Sequence, residues 1–589
     1  MATYAERPWT KYYDEGIPDS LMPYPEVGLH ELLRDKTAEN PQRPFLITSV
    51  KLPLFGRKDK TVTFGELDRA SDAFGMALIE MGVKKGDRVA IVLPTCVAFA
   101  ITYYAILKVG GVVVACNPTY PAPKMSYQIN DCDAEIVISM SMFYDMIKSI
   151  QPETKLKKVI VTNIKEYFPT LGKLLFTLAI EKKERHYVKN VADGDYWLQD
   201  LLKKHDGQKP QIAVAADDLA LFQYTGGTTG VSKGAMSTHR ALVANMIQAK
   251  LWTASVAGPD GSYDDQLTLG ALPFFHVYGI VMLLSLSATV GQRIVLVVNP
   301  RDIDELVDLV DVYKPTTFAG IPALFNAIVN HPRIKSGEVS LKSLAITSSG
   351  SAPLPPALQE EYEPLTGGPL CQGFGMSEAP TVTHSNPIMG ERRINSIGLP
   401  WPDVDCRIVS LEDGESDLPV GESGELVMSA PNLMLGYHKM PDETKSTLRE
   451  KDGKTWLYTG DIGLMDEDGY FYIVDRKKDM ALIGGFNVYP TQIEKVLREH
   501  PAILEVGVVG IPHPERQGQE ALKAWIVFKE GHSATEEELI EQCSKFLAPY
   551  EVPRRFVVVD ELPKSAVGKV LRRELLQIEI ERQNKTTLK

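Results

Sequence analysis

The sequence predicts an α/β protein, with a large N-terminal domain of helix-covered, mostly parallel sheets and a small α+β C-terminal domain. Three observations predict it. The chain has 589 residues, more than one ordinary core can use. Apolar strand-like runs alternate with amphipathic helical stretches over most of the length, as in parallel sheets covered by helices. A charged cluster, Asp475-Arg476-Lys477-Lys478-Asp479, then interrupts the pattern, and the remainder of the chain is long enough for a second domain.

In chain order, Thr63 and Glu66 make a capping box before a helix whose inner face is Leu67, Ala70, Phe74 and Leu78. Gly86-Asp87 turns the chain into a buried strand from Val89 to Leu93. The longest apolar stretch, Ala98 to Cys116, is broken by Lys108 and a Gly-Gly pair, so it reads as a helix then a strand, not a membrane span. Ile303, Leu306, Val307 and Val310 mark another helix before a strand from Thr316 to Ala319. The expected division is 1–475 for the large domain, 476–479 for the charged boundary and 480–589 for the small domain. The small domain's expected strands are Val506 to Gly510, Leu522 to Phe528 and Phe556 to Val559, with a helix capped by Thr535 and Glu538.

Lys and Arg number 63 against 76 Asp and Glu, a net charge of −13, which disfavours a nucleic-acid partner. The six cysteines are scattered without metal-ligand spacing and read as thiols in a reducing compartment. The opening residues lack an apolar core, so no secretory leader is expected. Together these imply a cytoplasmic location.

The strongest chemical signal is Tyr224-Thr-Gly-Gly-Thr-Thr-Gly-Val-Ser-Lys-Gly234, between an apolar strand from Leu219 and a helical stretch from His239. Gly226, Gly227 and Gly230 let backbone N–H groups converge on an anion. Thr225, Thr228 and Thr229 add hydroxyl donors and Lys233 a cation. This is a phosphate cradle, and its spacing is not that of a Walker A loop.

The segment resembles the signature of the adenylate-forming superfamily, which includes acyl-CoA synthetases, and further motifs continue the likeness in order. Ser349-Gly-Ser-Ala-Pro-Leu354 is similar to the family's adenine-contacting turn, implying roles for Gly350, Ser351 and Ala352. Gln372-Gly373-Phe374-Gly375-Met376-Ser377-Glu378 resembles its aromatic-plus-glutamate motif. Tyr458-Thr-Gly-Asp461 resembles the ribose motif, and Asp475–Asp479 the hinge, which implies that 476–479 is a hinge and the small α+β C-terminal domain mobile, with Arg476 on the sugar and Lys478 as pivot. Gly484-Gly485-Phe486 resembles the thiol-side loop, and Pro563 to Lys569 the catalytic-lysine motif.

The chemistry suits these assignments. Glu378 is a hard carboxylate fit for Mg²⁺, with the Thr225 hydroxyl as a second ligand. Phe374 offers an aromatic face for adenine, and Asp461 can accept both ribose hydroxyl protons. Lys569 can stabilise charge between an acyl carboxylate and the α-phosphate, with Lys233 assisting. Ser232 stands where proline is common, Ser377 where threonine is, Phe374 where tyrosine is frequent and Glu551 where lysine is usual.

Within the superfamily, the likeness is to bacterial long-chain fatty-acid–CoA ligases, through Leu272 to Gly279 and Gly320 to Phe325. It implies ATP, Mg²⁺, coenzyme A and a medium- or long-chain fatty acid. His276, Val277, Tyr278, Gly279, Gly320, Ile321 and Leu324 are the expected acyl-pocket walls. The alternatives are a fatty-acyl-AMP ligase loading another acceptor, and an inactive lipid- or adenylate-binding regulator. Residues 164–190 stand apart: an apolar run, then six basic residues against three Glu across the segment. They read as a surface helical insertion or as a peripheral contact with the inner face of a membrane. A homodimer is compatible with the sequence.

Overall fold

The computed structural model describes residues 3–52, 54–225, 232–258, 261–483, 486–513, 520–565 and 568–587. Two large sheets organise the first part of the chain, one of nine strands and one of eight. Their central neighbours run parallel, and antiparallel strands close one or both edges. The capping box forms as expected: Thr63 Oγ1 accepts the Glu66 N–H, and Glu66 accepts the Thr63 N–H. The helix it opens, Phe64–Glu80, buries Leu67, Phe74 and Leu78. The long apolar stretch is the helix Val97–Lys108 and the strand Val112–Ala115. Among the described residues no helix is long and apolar enough to cross a membrane.

A third sheet departs from the parallel expectation. Five strands between Asp405 and Arg476 pair antiparallel, and the Tyr458–Asp461 motif lies in the long strand Lys454–Met465. The Gly/Thr loop keeps its expected flanks, the strand Leu219–Tyr224 and the helix from His239, and the fold adds an element between them. The chain does not pass from the loop directly into a helix. It returns as the strand Gly234–Thr238, antiparallel to Leu219–Tyr224, with Gly234 opposite Tyr224. Only then does Thr238 cap the helix His239–Trp252. The pairing holds Thr225 and Lys233, the described ends of that segment, at one place.

After Arg476 the architecture changes to a two-stranded and a three-stranded sheet with the helices Pro490–Arg498, Glu536–Ser544 and Arg572–Thr587. This part has a core of its own, including Ile493, Leu497, Val508, Ile526 and Leu539. All six cysteines are buried and free of disulfides.

Candidate active site

The ends of the parallel strands and the first turn of the last helix enclose a cavity of about 1110 Å³. Thr225 and Lys233 enter from the hairpin, where the Thr225 N–H donates to the Lys233 carbonyl at 2.9 Å. Ser232, the residue in place of proline, donates its hydroxyl to the Thr225 carbonyl at 2.6 Å and so closes the loop base another way. Gly226, Gly227, Thr228, Thr229 and Gly230 lie outside the described residues. Lys233 pairs with Glu443 and lies 5.1 Å from the Tyr437 ring centroid.

Gly350 and Ser351 come after the strand Ile346–Ser349 and line the same cavity. Ser351 adopts φ +66°, a left-handed conformation rare for a residue with a side chain. The strand Leu370–Met376 brings Gly373, Phe374, Gly375 and Met376 to the wall, with Ser377 and Glu378 in its turn. Gly375 is required by space, since a side chain there would meet the Thr381 carbonyl oxygen at 1.5 Å. Glu378 Oε1 accepts the Tyr437 hydroxyl at 2.7 Å. Gln372 is buried beneath this wall, and neither it nor Ala352 lines the cavity.

Asp461 and Arg476 face each other on paired strands, with Nε 2.7 Å from Oδ1. Asp461 chiefly raises the pKa of that guanidinium. Arg476, Lys478 and Lys569 line the cavity, whereas Asp461 is buried behind Arg476 and does not. The Arg476 cation, then burial, holds the Lys569 ammonium down at about 8. Burial, then the same cation, lowers Lys478. Lys569 is presented by a turn in which Gly568 has φ +74° and the Ser565 hydroxyl accepts the Lys569 N–H at 3.1 Å.

His276, Val277 and Tyr278 form another wall. Burial lowers the His276 pKa to about 4, so the ring is neutral near pH 7. Its Nδ1 accepts the Tyr278 N–H at 3.3 Å, which leaves the proton on Nε2 in the neutral ring. Behind Tyr278, Gly373 and Val382 lies a second, largely apolar cavity of about 110 Å³. Met282, Leu283 and Leu286 line it from one side, and Trp252 and Trp401, stacked with centroids 5.6 Å apart, from another. Tyr278–Ser285 is a π-helix running into the helix Leu286–Val290. Such widened turns are frequent at functional sites.

Four expected acyl walls do not line either cavity. A side chain at Gly279 would meet the Pro273 carbonyl oxygen at 2.0 Å, so this glycine serves close backbone packing. One at Gly320 would meet the Phe325 ring at 2.7 Å. Leu324 belongs to the core around Phe325 and Ile328. Ile321 faces the small C-terminal part, 3.1 Å from where a Gly568 side chain would begin. Phe486 is also away from the cavity, stacked on Tyr550 at 4.4 Å, while Gly484 and Gly485 lie outside the described residues. Sequence reasoning missed Tyr437 and Glu443, which no local motif marks. They reach the site because the strand Gly436–Tyr437 pairs with Gly234–Thr238. It also missed the second cavity.

Thr225 and Lys233, Arg476 with its partner Asp461 behind it, and a lysine from a separate part converge on one cleft with an apolar chamber behind it. The chain belongs to the AMP-binding enzyme family, whose main domain matches residues 33–438 and whose C-terminal domain matches residues 492–569. It is 37% identical to the long-chain-fatty-acid–CoA ligase of Bacillus subtilis (strain 168), over 98% of this chain and 99% of that protein. It is 35% identical to the enzyme of that name from Escherichia coli O6:H1, over 96% and 97%. ATP-bound MatB from Rhodopseudomonas palustris superposes with a TM-score of 0.79 at 27% identity, covering 94% of this chain and 99% of that one. The same enzyme without ligand superposes over the same shares with 0.69.

Proposed function

We propose that this enzyme activates a long-chain fatty acid with ATP as an acyl-adenylate and then transfers the acyl group to coenzyme A. The observation that carries the reading is the meeting of Lys569 with Arg476, itself paired to the buried Asp461, at a cleft that adjoins an apolar chamber.

A carboxylate oxygen of the acid attacks the α-phosphorus, and the bond to pyrophosphate breaks. The Lys569 ammonium offsets the charge that builds between the reacting groups. Lys233 exchanges its Glu443 partner for the triphosphate. Asp461 accepts from the ribose hydroxyls while Arg476 holds it in place. Phe374 stacks on adenine beside the Gly350–Ser351 turn. The neutral His276 donates from Nε2 toward the acyl carboxylate. The thiol of coenzyme A then attacks the carbonyl carbon and AMP leaves.

Mg²⁺ fits the donor set. Among the described residues no three His, Cys, Asp or Glu side chains gather to hold a metal by themselves. Mg²⁺ commonly takes one or two protein oxygens and completes its shell with water and phosphate. Glu378, oriented by Tyr437, and the Thr225 hydroxyl would supply those oxygens. The ion would offset triphosphate charge.

The division at 476–479, with Lys478 as pivot, belongs to the same proposal. The better superposition on the ATP-bound relative supports an adenylate-forming orientation here. Rotation about Lys478 withdraws Lys569 and brings the segment around Phe486 to the adenylate. The finer readings of location are a peripheral membrane contact through residues 164–190 and a homodimer. A coupled assay of AMP release across acids of graded length, with and without coenzyme A, tests the function. AMP turnover that needs both a long-chain acid and coenzyme A is expected; full turnover without coenzyme A would refute the second step.

A further inference from the structure

The helix Thr170–Ala179 has the sequence TLGKLLFTLA, yet only Gly172 is buried within it. Leu174 and Leu178 are 55% and 75% exposed, and Ile180 just beyond is 42% exposed. An apolar helix that buries so little in its own protein has a free face.

The turn after it is built rather than loose. Glu181 and His186 are buried, Asn163 donates to both the Glu181 carboxylate and the His186 carbonyl, and the Phe176 and His186 rings meet at 5.5 Å. With those positions turned inward, Lys182, Lys183, Arg185 and Tyr187 are exposed. Internal ion pairs claim Lys165 and Lys173, through Glu181 and Glu166. The basic excess is therefore concentrated at the end of the apolar helix, on a chain whose net charge is −13.

The fold adds a second element that is distant in sequence. The hairpin of strands Pro44–Leu52 and Gly56–Thr63 stands against this segment. The Leu52 side chain lies 3.7 Å from where a Gly172 side chain would begin, and Lys60 donates to the Glu166 carbonyl at 3.0 Å. At the hairpin tip Leu54 is fully exposed and Phe55 is 54% exposed.

We propose that the hairpin tip and the helix Thr170–Ala179 together form a docking surface for an anionic lipid bilayer. It rests on the ligase reading only for its purpose, the collection of an acyl chain that partitions into membranes. Charge decides the occupant: apolar side chains flanked by exposed cations complement anionic headgroups over acyl chains. A second copy of a chain this acidic would present no matching excess of negative charge at the same patch, because an isologous contact places like surfaces together.

The test is co-sedimentation of the full chain with vesicles of equal parts phosphatidylglycerol and phosphatidylcholine, and with phosphatidylcholine alone. Wild type should pellet with the mixed vesicles at low salt, be released by high salt and ignore the neutral ones. Leu54→Ser/Phe55→Ser, Leu174→Ser/Leu178→Ser and Lys182→Ser/Lys183→Ser/Arg185→Ser should each weaken partitioning about tenfold. All these side chains are exposed, so an unchanged unfolding midpoint accompanies the loss. Wild type remaining in the supernatant at low salt overturns the proposal. So does a hairpin variant that binds as wild type, or a dimer that the same substitutions dissociate. AMP release from a detergent-dispersed long-chain acid with ATP and coenzyme A is read on the same samples: its absence in wild type strikes the ligase reading, whereas vesicle binding judges the surface alone.

Discussion

Arg572 Nη1 lies 3.1 Å from Asp475 Oδ1 and 3.1 Å from Asp479 Oδ2, so one guanidinium bridges carboxylates on both sides of Lys478. Its other nitrogens hold Glu494 and Thr491. Asp475 lies near the end of a strand of the five-stranded sheet, whereas Glu494 belongs to the helix Pro490–Arg498. The bridge therefore fastens the two parts in the orientation that places Lys569 in the cleft. Arg572→Ala leaves buried carboxylates without their partner, a costly change. Adenylation should fall about tenfold or more, and thioester formation from supplied acyl-AMP should fall less. Separate assays of the half-reactions check this, and equal losses would reject the role. Lys478→Pro, which fixes φ at the pivot, should show the opposite balance: adenylation survives better than thioester formation.

Lys569 gives a pH prediction. Its charged form is the useful one, and that form is lost as pH rises through about 8 in the free enzyme. The kcat/KM for adenylation should decline above that pH. Lys569→Arg, retaining charge at higher pH, should move this limb upward even if its absolute rate is lower. Lys569→Ala should abolish adenylation yet largely spare the thiol step. A limb that stays in place in the arginine variant would assign it to another group.

The Tyr437 hydroxyl orients Glu378. Tyr437→Phe removes that donor without removing the carboxylate. Such supporting contacts commonly govern metal affinity by factors of about ten or more. The Mg²⁺ concentration for half-maximal adenylation should rise about tenfold, while saturating Mg²⁺ restores most of the rate. An unchanged Mg²⁺ dependence would separate Glu378 from the metal.

Met282 borders the second cavity. Met282→Trp should fill it and penalise long acids more than short ones, because each buried methylene contributes about 0.8 kcal/mol. The chain-length profile of AMP release should shift toward shorter acids. A uniform loss across lengths would place the tail elsewhere.

The sequence carried what is local. Thr63 and Glu66 sit three apart, so their capping box needed no knowledge of the fold, and the motifs around Thr225, Phe374 and Asp461 are contiguous. What it hid depends on strand order. Thr268, Thr317, Ile346 and Cys371 lie far apart in the chain and meet at the second cavity as neighbours in the nine-stranded sheet. Gly320 and Leu324 illustrate the converse. They sit beside a recognisable motif, but the helix Pro322–Val329 turns Leu324 into the core. Arg572 follows the Pro563 to Lys569 motif by three residues, yet its partners are set by the arrangement of two parts rather than by spacing.

The π-helix Tyr278–Ser285 has a consequence for how pocket dimensions can drift by insertion and deletion. Its i→i+5 bonding accommodates extra residues within a continuous helix. Removing one residue between Ile280 and Ser285 would tighten that stretch toward α-helical winding, each residue turning the helix by about 100°. With Gly279 pinned against Pro273 at one end, the rotation would fall on Met282, Leu283 and Leu286, replacing one lining by another. We predict that such a deletion re-tunes acyl length while leaving the nucleotide side unchanged; loss of ATP binding in the deletion variant would contradict this.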